Sequence, residues 1–517
     1  MPLAGERLNE PVDVANLLRP GIENKPDDVA LVCAKTRLSY RNLDDLANRL
    51  AANLLAMGLE PGDRVASLMP NRTALLLHYL ACQRAGLVVT PLNYRYMAPE
   101  IDHALEVSKA ALLLTHAERM ADLELSELAG ALRHGVITYG GETAGGRSFE
   151  ALLEDKNAGV EFPKRGLDDP SAIFFTSGST GAPKGVTHTY RSLGYMFASI
   201  GGILGLTPDD VMLPGQSISH IAGFVLSHGA LATGSRVLIA RTFDGHELLP
   251  LMRENRPTVL NMLPSALHRL VREHDVQPED FSSLRVCRSA GDKVAAELEH
   301  AFTAMTGFPI DEGWGMTEIG LAAMSPPSGF IKEGSVGRPA PGFEMSVRAE
   351  DGEEVPAGGE GRLWIKSPTT MAGYWDNSEA TFATIRDGWL DTGDVMRVDE
   401  NGYLWFRGRK KQIIIHDGSN ICPQDVEEAL LEHAAVEAAG VIGVHDLLHG
   451  ENVRAYVVLS EGADEPTIQE LIDHARERIG YKAPEEIEFL EEMPMNATGK
   501  VDRVSLKKMA AERHEVD

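Results

Sequence analysis

The stretch "AIFFTSGSTGAPKGV", Ala172 to Val186, decides how the rest of the chain is read. Ala172 to Phe175 have the character of a buried strand, and they empty into small, hydroxyl-bearing and glycine positions followed by a lysine. Such a segment can bring many backbone N–H groups and one ammonium to a single point, which is how a chain cradles a phosphate. The same composition also builds ordinary surface turns, so the reading turns on what the other segments contain.

One form of phosphate loop fails on spacing. In GxxxxGK[ST] the residue after the lysine gives its hydroxyl to magnesium. Counting from Gly178, the residue before Lys184 is Pro183 and the one after it is Gly185. That hydroxyl is missing, and the motor and switch chemistry of P-loop nucleoside triphosphatases is not expected.

A chain of 517 residues is too long for one hydrophobic core, so two or more domains are expected. Apolar residues, 43% of the chain, run throughout and exclude a mainly disordered protein. With 49 basic against 76 acidic residues the net charge is −27, which disfavours nonspecific nucleic-acid or anionic-membrane binding. An anionic ligand would need a local basic cluster, and Arg407, Arg409, Lys410 and Lys411 form one. Cys33, Cys82, Cys287 and Cys422 stand far apart without metal-ligand spacing, which suits a reducing compartment. The opening residues "MPLAGERLNEPVDVANLL" carry charges where a signal peptide is apolar, and no apolar run reaches membrane-spanning length. A cytoplasmic protein without integral membrane association is expected; its oligomeric state is not legible.

Helical stretches alternate with short apolar runs from about Leu38 to Thr115, as in "NLDDLANRLAANLLAMGL", "RVASLM", "LVVTPL" and "AALLLT". That alternation predicts parallel βαβ units. The habit repeats from about Ser171 to Met324 and predicts a second α/β layer. Between Gly334 and Trp375, dense Gly and Pro punctuation predicts a small β-rich subdomain. After "NGYLWFRGRKKQIIIHDGSNICP" the chain restarts as a small α+β domain, with the joint near Lys411. The domains are thus expected at 1–410 and 411–517.

Four further segments have no evident periodic role in a core: "EGWGMTE" (Glu312 to Glu318), "DGWLDTGD" (Asp387 to Asp394, read as a polar turn), "FRGRKKQIIIHDGSNICP", and "PMNATGK" (Pro494 to Lys500). Together with "TSGSTGAPKGV", in this order, they resemble the adenylate-forming superfamily of acyl-CoA and aryl-CoA synthetases, peptide-synthetase adenylation domains and firefly luciferase. The resemblance runs from "GLEPGDRVASLMPN" (Gly58 to Asn71) to Lys500. It implies an α/β fold: a large N-terminal domain of two α/β subdomains plus a β-barrel-like subdomain, and a small mobile α+β C-terminal domain.

A carboxylate acylates poorly because its charge repels nucleophiles and its leaving group would be oxide. An acyl-adenylate supplies AMP as the leaving group, and its formation needs the phosphates of ATP held and neutralised. By the resemblance Thr176, Ser177, Gly178, Ser179, Thr180, Gly181 and Lys184 grip the β- and γ-phosphates. Glu318 binds Mg2+, and Thr317, with Gly313, Gly315 and Met316 of the same segment, borders the nucleotide. Trp314 stacks on adenine with Gly291 opposite; most relatives carry Tyr at that position, and a flat ring survives here. Asp394 accepts from both ribose hydroxyls, a role suited to two acceptor oxygens, and Arg409 adds a charge-assisted contact. Lys500 is the expected catalytic residue, bridging the substrate carboxylate and the α-phosphate. His220 and Gly223 border the acyl pocket.

For the second half-reaction the resemblance implies rotation of the C-terminal domain about a hinge at Lys411, with Gly418 beside the pantetheine passage of CoA. Luciferase and many coumarate ligases carry lysine where this chain has Ile415, which weakens a luciferase-like reading. His188 and His416 are read as structural. The implied function is an AMP-forming carboxylic acid–CoA ligase using ATP, Mg2+ and CoA on a fatty or other modest hydrophobic acid. The alternative is a stand-alone adenylation enzyme that loads a carrier-protein thiol. The apolar runs Ile218 to Leu226 and Leu260 to Leu263 lean away from amino acids, whose ammonium would want a carboxylate.

Overall fold

The apolar run at Ala172 is the interior of a strand, Pro170–Phe175, that doubles back on Gly185–Thr189 with Phe175 opposite Gly185. The candidate phosphate segment is therefore the connection of an antiparallel hairpin, not the strand-to-helix turn of a P-loop. Thr176 N donates to the Lys184 carbonyl (3.1 Å) across its neck. The computed structural model describes every residue except 1–2, 9, 142–146, 155–159, 177–182, 273–274, 292–293, 295, 326–329, 410–411, 417–418, 447–449, 497–498 and 515–517.

This hairpin lies in an eight-stranded sheet, one short strand, Gly373–Tyr374, from its edge. Beyond Pro170–Phe175 come Val88–Pro91, Arg64–Leu68, Leu112–His116, Val136–Tyr139 and Arg147–Ser148, all parallel. A second sheet of nine strands has a parallel centre of Asp311–Met316, Val286–Ala290, Val259–Met262, Val211–Gly215, Arg236–Ile239 and Val29–Cys33. Continuous burial along these strands is what a sheet covered on both faces requires.

The two layers do not follow chain order as expected. Pro170–Phe175 and Gly185–Thr189, placed by the sequence in the second layer, belong to the first sheet, whereas Val29–Cys33 and Thr36–Ser39 belong to the second. Periodicity reports that a strand is buried but not which edge its connection reaches.

Four helices, Tyr40–Ala56, Thr73–Ala85, Tyr190–Ile203 and Ile221–Ala232, join one hydrophobic cluster with residues of both sheets. Ile221–Ala232 is buried on nearly all sides, as its all-round apolar sequence requires. Within it Phe224 stacks on His228 at 3.9 Å and meets Tyr79 and Phe174 at 5.2 Å each. Separate clusters cover the far faces of the two sheets.

The β-rich unit is longer than the Gly334–Trp375 span expected. Its six antiparallel strands are Leu3–Ala4, Glu344–Arg348, Glu360–Lys366, Ile385–Arg386, Trp389–Val398 and Leu404–Arg409, and the described pairings do not close a barrel. Gly373–Tyr374 instead pairs with the hairpin strand Gly185–Thr189. "DGWLDTGD" is only partly a turn. Asp387 (φ 51°) and Gly388 (φ 77°) make the two-residue reversal between Arg386 and Trp389, and the rest is strand.

From Ile414 onward a five-stranded sheet carries helices Pro423–Leu431 and Ile468–Ile479 over one apolar cluster and Arg503–His514 over another. The fold is thus α/β, a large N-terminal domain and a small C-terminal one. Among the described residues no helix is long and apolar enough to cross a membrane.

Burial holds three interior histidines, His78, His188 and His228, neutral by pushing each pKa down to about 4. Their folded pKa lies below the unfolded value, so their contribution is intact above about pH 6.5 and is lost as pH falls toward 4, at about 1.4 kcal/mol per unit per proton. Urea midpoints should therefore decline through that window, and less steeply in His228→Phe, which keeps the ring and removes the proton site. Phe224→Ala should cost about 3–5 kcal/mol, read as a lower urea midpoint at pH 7.5.

Candidate active site

The carboxyl ends of the parallel strands in both sheets open on a single cleft of about 2460 Å³, whose other wall is the C-terminal domain. Ligands of open α/β sheets bind at such strand ends. Thr176 and Lys184, at the two sides of the hairpin neck, both border it. Ser177, Gly178, Ser179, Thr180 and Gly181 lie outside the described residues, as do Lys411 and Gly418.

Gly313, Trp314, Gly315, Met316, Thr317 and Glu318 line one side of the cleft, and Gly291 lines it from the end of the neighbouring strand. Gly315 is required by close approach, because a Cβ there would collide with the Gly320 carbonyl. Trp314 is 8% exposed. Its Nε1 donates to Asp394 Oδ2 (3.0 Å), while Arg409, opposite in register, donates through Nε to Oδ1 (3.1 Å). Burial of Asp394 raises its carboxyl pKa against the opposing pull of Arg409, Trp314 and the Lys500 charge. Of the basic run, Arg409 pairs with Asp394 and Arg407 with Glu360 (3.1 Å), while Lys410 and Lys411 lie outside the described residues.

Glu318 is likewise buried, which raises its pKa, and Tyr374 donates its hydroxyl to Oε1 (2.8 Å). The same tyrosine ring lies 4.9 Å from Lys184 Nζ. Tyr374 therefore touches both the carboxylate and the hairpin lysine, and sequence reasoning missed it because the link is a strand pairing across 187 intervening positions of chain, Val186 to Tyr374. His188, read as structural, is buried and donates through Nε2 to the Thr317 carbonyl (2.8 Å), fixing the turn that presents Thr317 and Glu318. His416 Nδ1 bonds the Glu451 carbonyl (2.8 Å) in the small domain, consistent with a structural place. Among the described residues no group of three or more His, Cys, Asp or Glu side chains forms a metal cage.

Lys500 enters the cleft from the small domain. Its backbone is pinned on both sides: its N–H donates to Asn496 Oδ1 (3.1 Å) and its carbonyl accepts from Asn496 N (2.7 Å). Three residues on, Arg503 donates to both oxygens of Glu427 (2.6 and 2.7 Å) and to the Val441 carbonyl (3.2 Å), anchoring the segment to the helix and sheet beneath. The Lys500 charge is felt at Asp394 and at His220.

His220 precedes the buried helix Ile221–Ala232 and is exposed to the cleft. Protein mass surrounds that part of the cleft and, with Lys500, lowers the imidazole pKa, so the ring is neutral at pH 7. Asn71, also missed, fixes this approach. It donates to the Gln216 and Ala240 carbonyls (3.1 and 3.0 Å) and accepts from Ile218 N (2.9 Å). Gly223 does not border the cleft; a Cβ there would strike the Ser217 carbonyl, so its place is one of packing. Of the apolar runs read as pocket walls, Ile221, Ala222 and Leu263 line the cleft, whereas Ile218, Phe224, Val225, Leu226, Leu260 and Met262 are core.

Residues 18–375 match the family model described as AMP-binding enzyme, and residues 425–500 match the AMP-binding enzyme C-terminal domain. The chain is 34% identical to the feruloyl-CoA synthase of an Amycolatopsis species over 92% of this chain and 94% of that protein. It is 31% identical to the long-chain-fatty-acid–CoA ligase of Bacillus subtilis, over 95% and 93% respectively. The crystal structure of the anthranilate CoA ligase AuaEII with anthranoyl-AMP superposes with a TM-score of 0.91 at 26% identity, covering 98% of this chain and 99% of that one. Matched along most of its length, with its cleft between two domains, the chain belongs to the AMP-binding enzyme family.

Proposed function

We propose that this protein is an AMP-forming carboxylic acid–CoA ligase. The observation that carries the reading is that Lys500, from the small domain, shares one cleft with Trp314, Asp394, Glu318 and Lys184 of the large one. In the first half-reaction a carboxylate oxygen attacks the α-phosphorus of ATP, the bond to the β-phosphate oxygen breaks, and pyrophosphate leaves. In the second, a thiol loses its proton and attacks the acyl carbon, and AMP departs.

Trp314 and Gly291 flank the base, and Asp394, held by Arg409, accepts from the ribose. Lys184 and the hairpin connection 176–184 neutralise the β- and γ-phosphates. Glu318 would hold Mg2+; one buried carboxylate facing the cleft fits an ion that takes most remaining ligands from phosphates and water, and the ion would supply neutralising charge at the phosphates. Lys500 offsets the charge of the acid and the α-phosphate as they meet. Neutral His220 walls the acyl side, where Ile221, Ala222, Leu263 and Val336 support a hydrophobic acid. We assign residues 1–410 and 411–517 as domains, with Lys411 as hinge for the second half-reaction and Gly418 beside the CoA passage. Four buried, unpaired cysteines support a cytoplasmic, reducing setting.

Lys500→Ala should lower acid-dependent exchange of labelled pyrophosphate into ATP by about 100-fold or more while leaving thioester formation from supplied acyl-AMP largely intact; equal loss of both steps would contradict the assignment. Pyrophosphate release screened over aliphatic, aromatic and dicarboxylic acids, with and without CoA, should rise with a hydrophobic acid and complete turnover only with CoA; turnover solely with a carrier protein would favour the carrier-loading alternative. Tyr374→Phe should weaken ATP binding less than Tyr374→Leu, since the first removes only the bond to Glu318, worth about 1–3 kcal/mol, and the second also removes the ring under Lys184.

A further inference from the structure

The indole N–H of Trp314 has a task separate from stacking. Asp394 is 2% exposed, and its two oxygens offer about four acceptor positions. Arg409 Nε takes one on Oδ1 and Trp314 Nε1 takes one on Oδ2. Among the described residues one position is left on each oxygen, matched in number to the two hydroxyls of a ribose. Both donors are unable to accept a hydrogen bond, so neither can compete with the sugar for the role of acceptor. The bond also spans two structural units. Trp314 belongs to the nine-stranded sheet and Asp394 to the six-stranded one, so it fixes the wall proposed for the base relative to the strand proposed for the sugar.

We propose that Trp314 is the positioning residue that sets sugar specificity in this nucleotide site: its N–H locks Asp394 in the rotamer that receives a 2′,3′-diol. This rests on the nucleotide reading above. A phenylalanine would keep a flat face for the base but leave Asp394 Oδ2 without its donor, and a buried carboxylate short of one donor is free to turn. The loss should therefore fall on recognition of the diol and not on recognition of the base.

The test is calorimetric binding of ATP, 2′-deoxy-ATP and 3′-deoxy-ATP to the full chain, with no acid or CoA present. Wild type is compared with Trp314→Phe and with a variant carrying β-(3-benzothienyl)alanine at 314, where sulfur replaces the N–H in a ring of the same shape. Wild type should bind ATP more tightly than either deoxy analogue. Both variants should lose roughly tenfold in ATP affinity, the share of a hydrogen bond to a charged acceptor, and should lose less for the deoxy analogues, so that the preference narrows. In an Asp394→Ala background the Trp314→Phe change should no longer alter the preference. A preference that persists unchanged in both variants overturns the inference and leaves the nucleotide reading standing. Wild type that binds none of the three nucleotides overturns both. Should Trp314→Phe prove unstable in melting, the isosteric variant decides.

Discussion

The ammonium of Lys500, carried by the small domain, and the buried carboxylate of Asp394, carried by the large one, line one cleft, and the function proposed above depends on their sharing it. Lys500 lies close enough to Asp394 and His220 for its charge to influence both. Neither domain alone encloses the site. In the proposed reaction the large one supplies the nucleotide-facing wall and the hairpin lysine, and the small one supplies the charge at the point where acid and phosphate would join. Electrostatic stabilisation of this kind is strongest where water is excluded and the groups are held in place beforehand.

The large domain earns its rigidity from its interior layer. The helix Ile221–Ala232, packed between two sheets, ends at the cleft, so His220 is set by one of the most deeply buried elements of the molecule. Asn71 and His188 do similar work at the loops. Each side chain satisfies backbone groups of a neighbouring segment and thereby fixes the turn that carries a cleft residue. Tyr374 links two such turns at once.

Much of this was legible in the residues. The helix "GHELLPLMREN" coincides with Gly245–Asn255, and "RVASLM", "RVLIA" and "AAGVIGV" each became strands, because apolar period and burial go together. Trp314, Asp394, Glu318 and Lys500 were found from short motifs and do line one cleft. What could not be read is what depends on contacts between distant segments. Tyr374 and Asn71 carry no local pattern, the sheet membership of Val29–Cys33 depends on a connection and not on its composition, and the apolar run at Phe224 reads the same whether it lines a pocket or fills a core. Gly223 was placed at the pocket by its neighbours in sequence, whereas its missing side chain serves the turn at Ser217.

The pinning of Lys500 to its own domain has a wider consequence. Arg503 and Glu427 tie the lysine segment to the helix and sheet of the small domain, and Asn496 closes the loop within it. The Lys500 segment is thus held by contacts internal to the small domain, as a self-contained cartridge. Under the proposed function, substitutions in the acid-facing wall of the large domain would leave this cartridge intact, so new substrates could be accommodated without rebuilding the activation step.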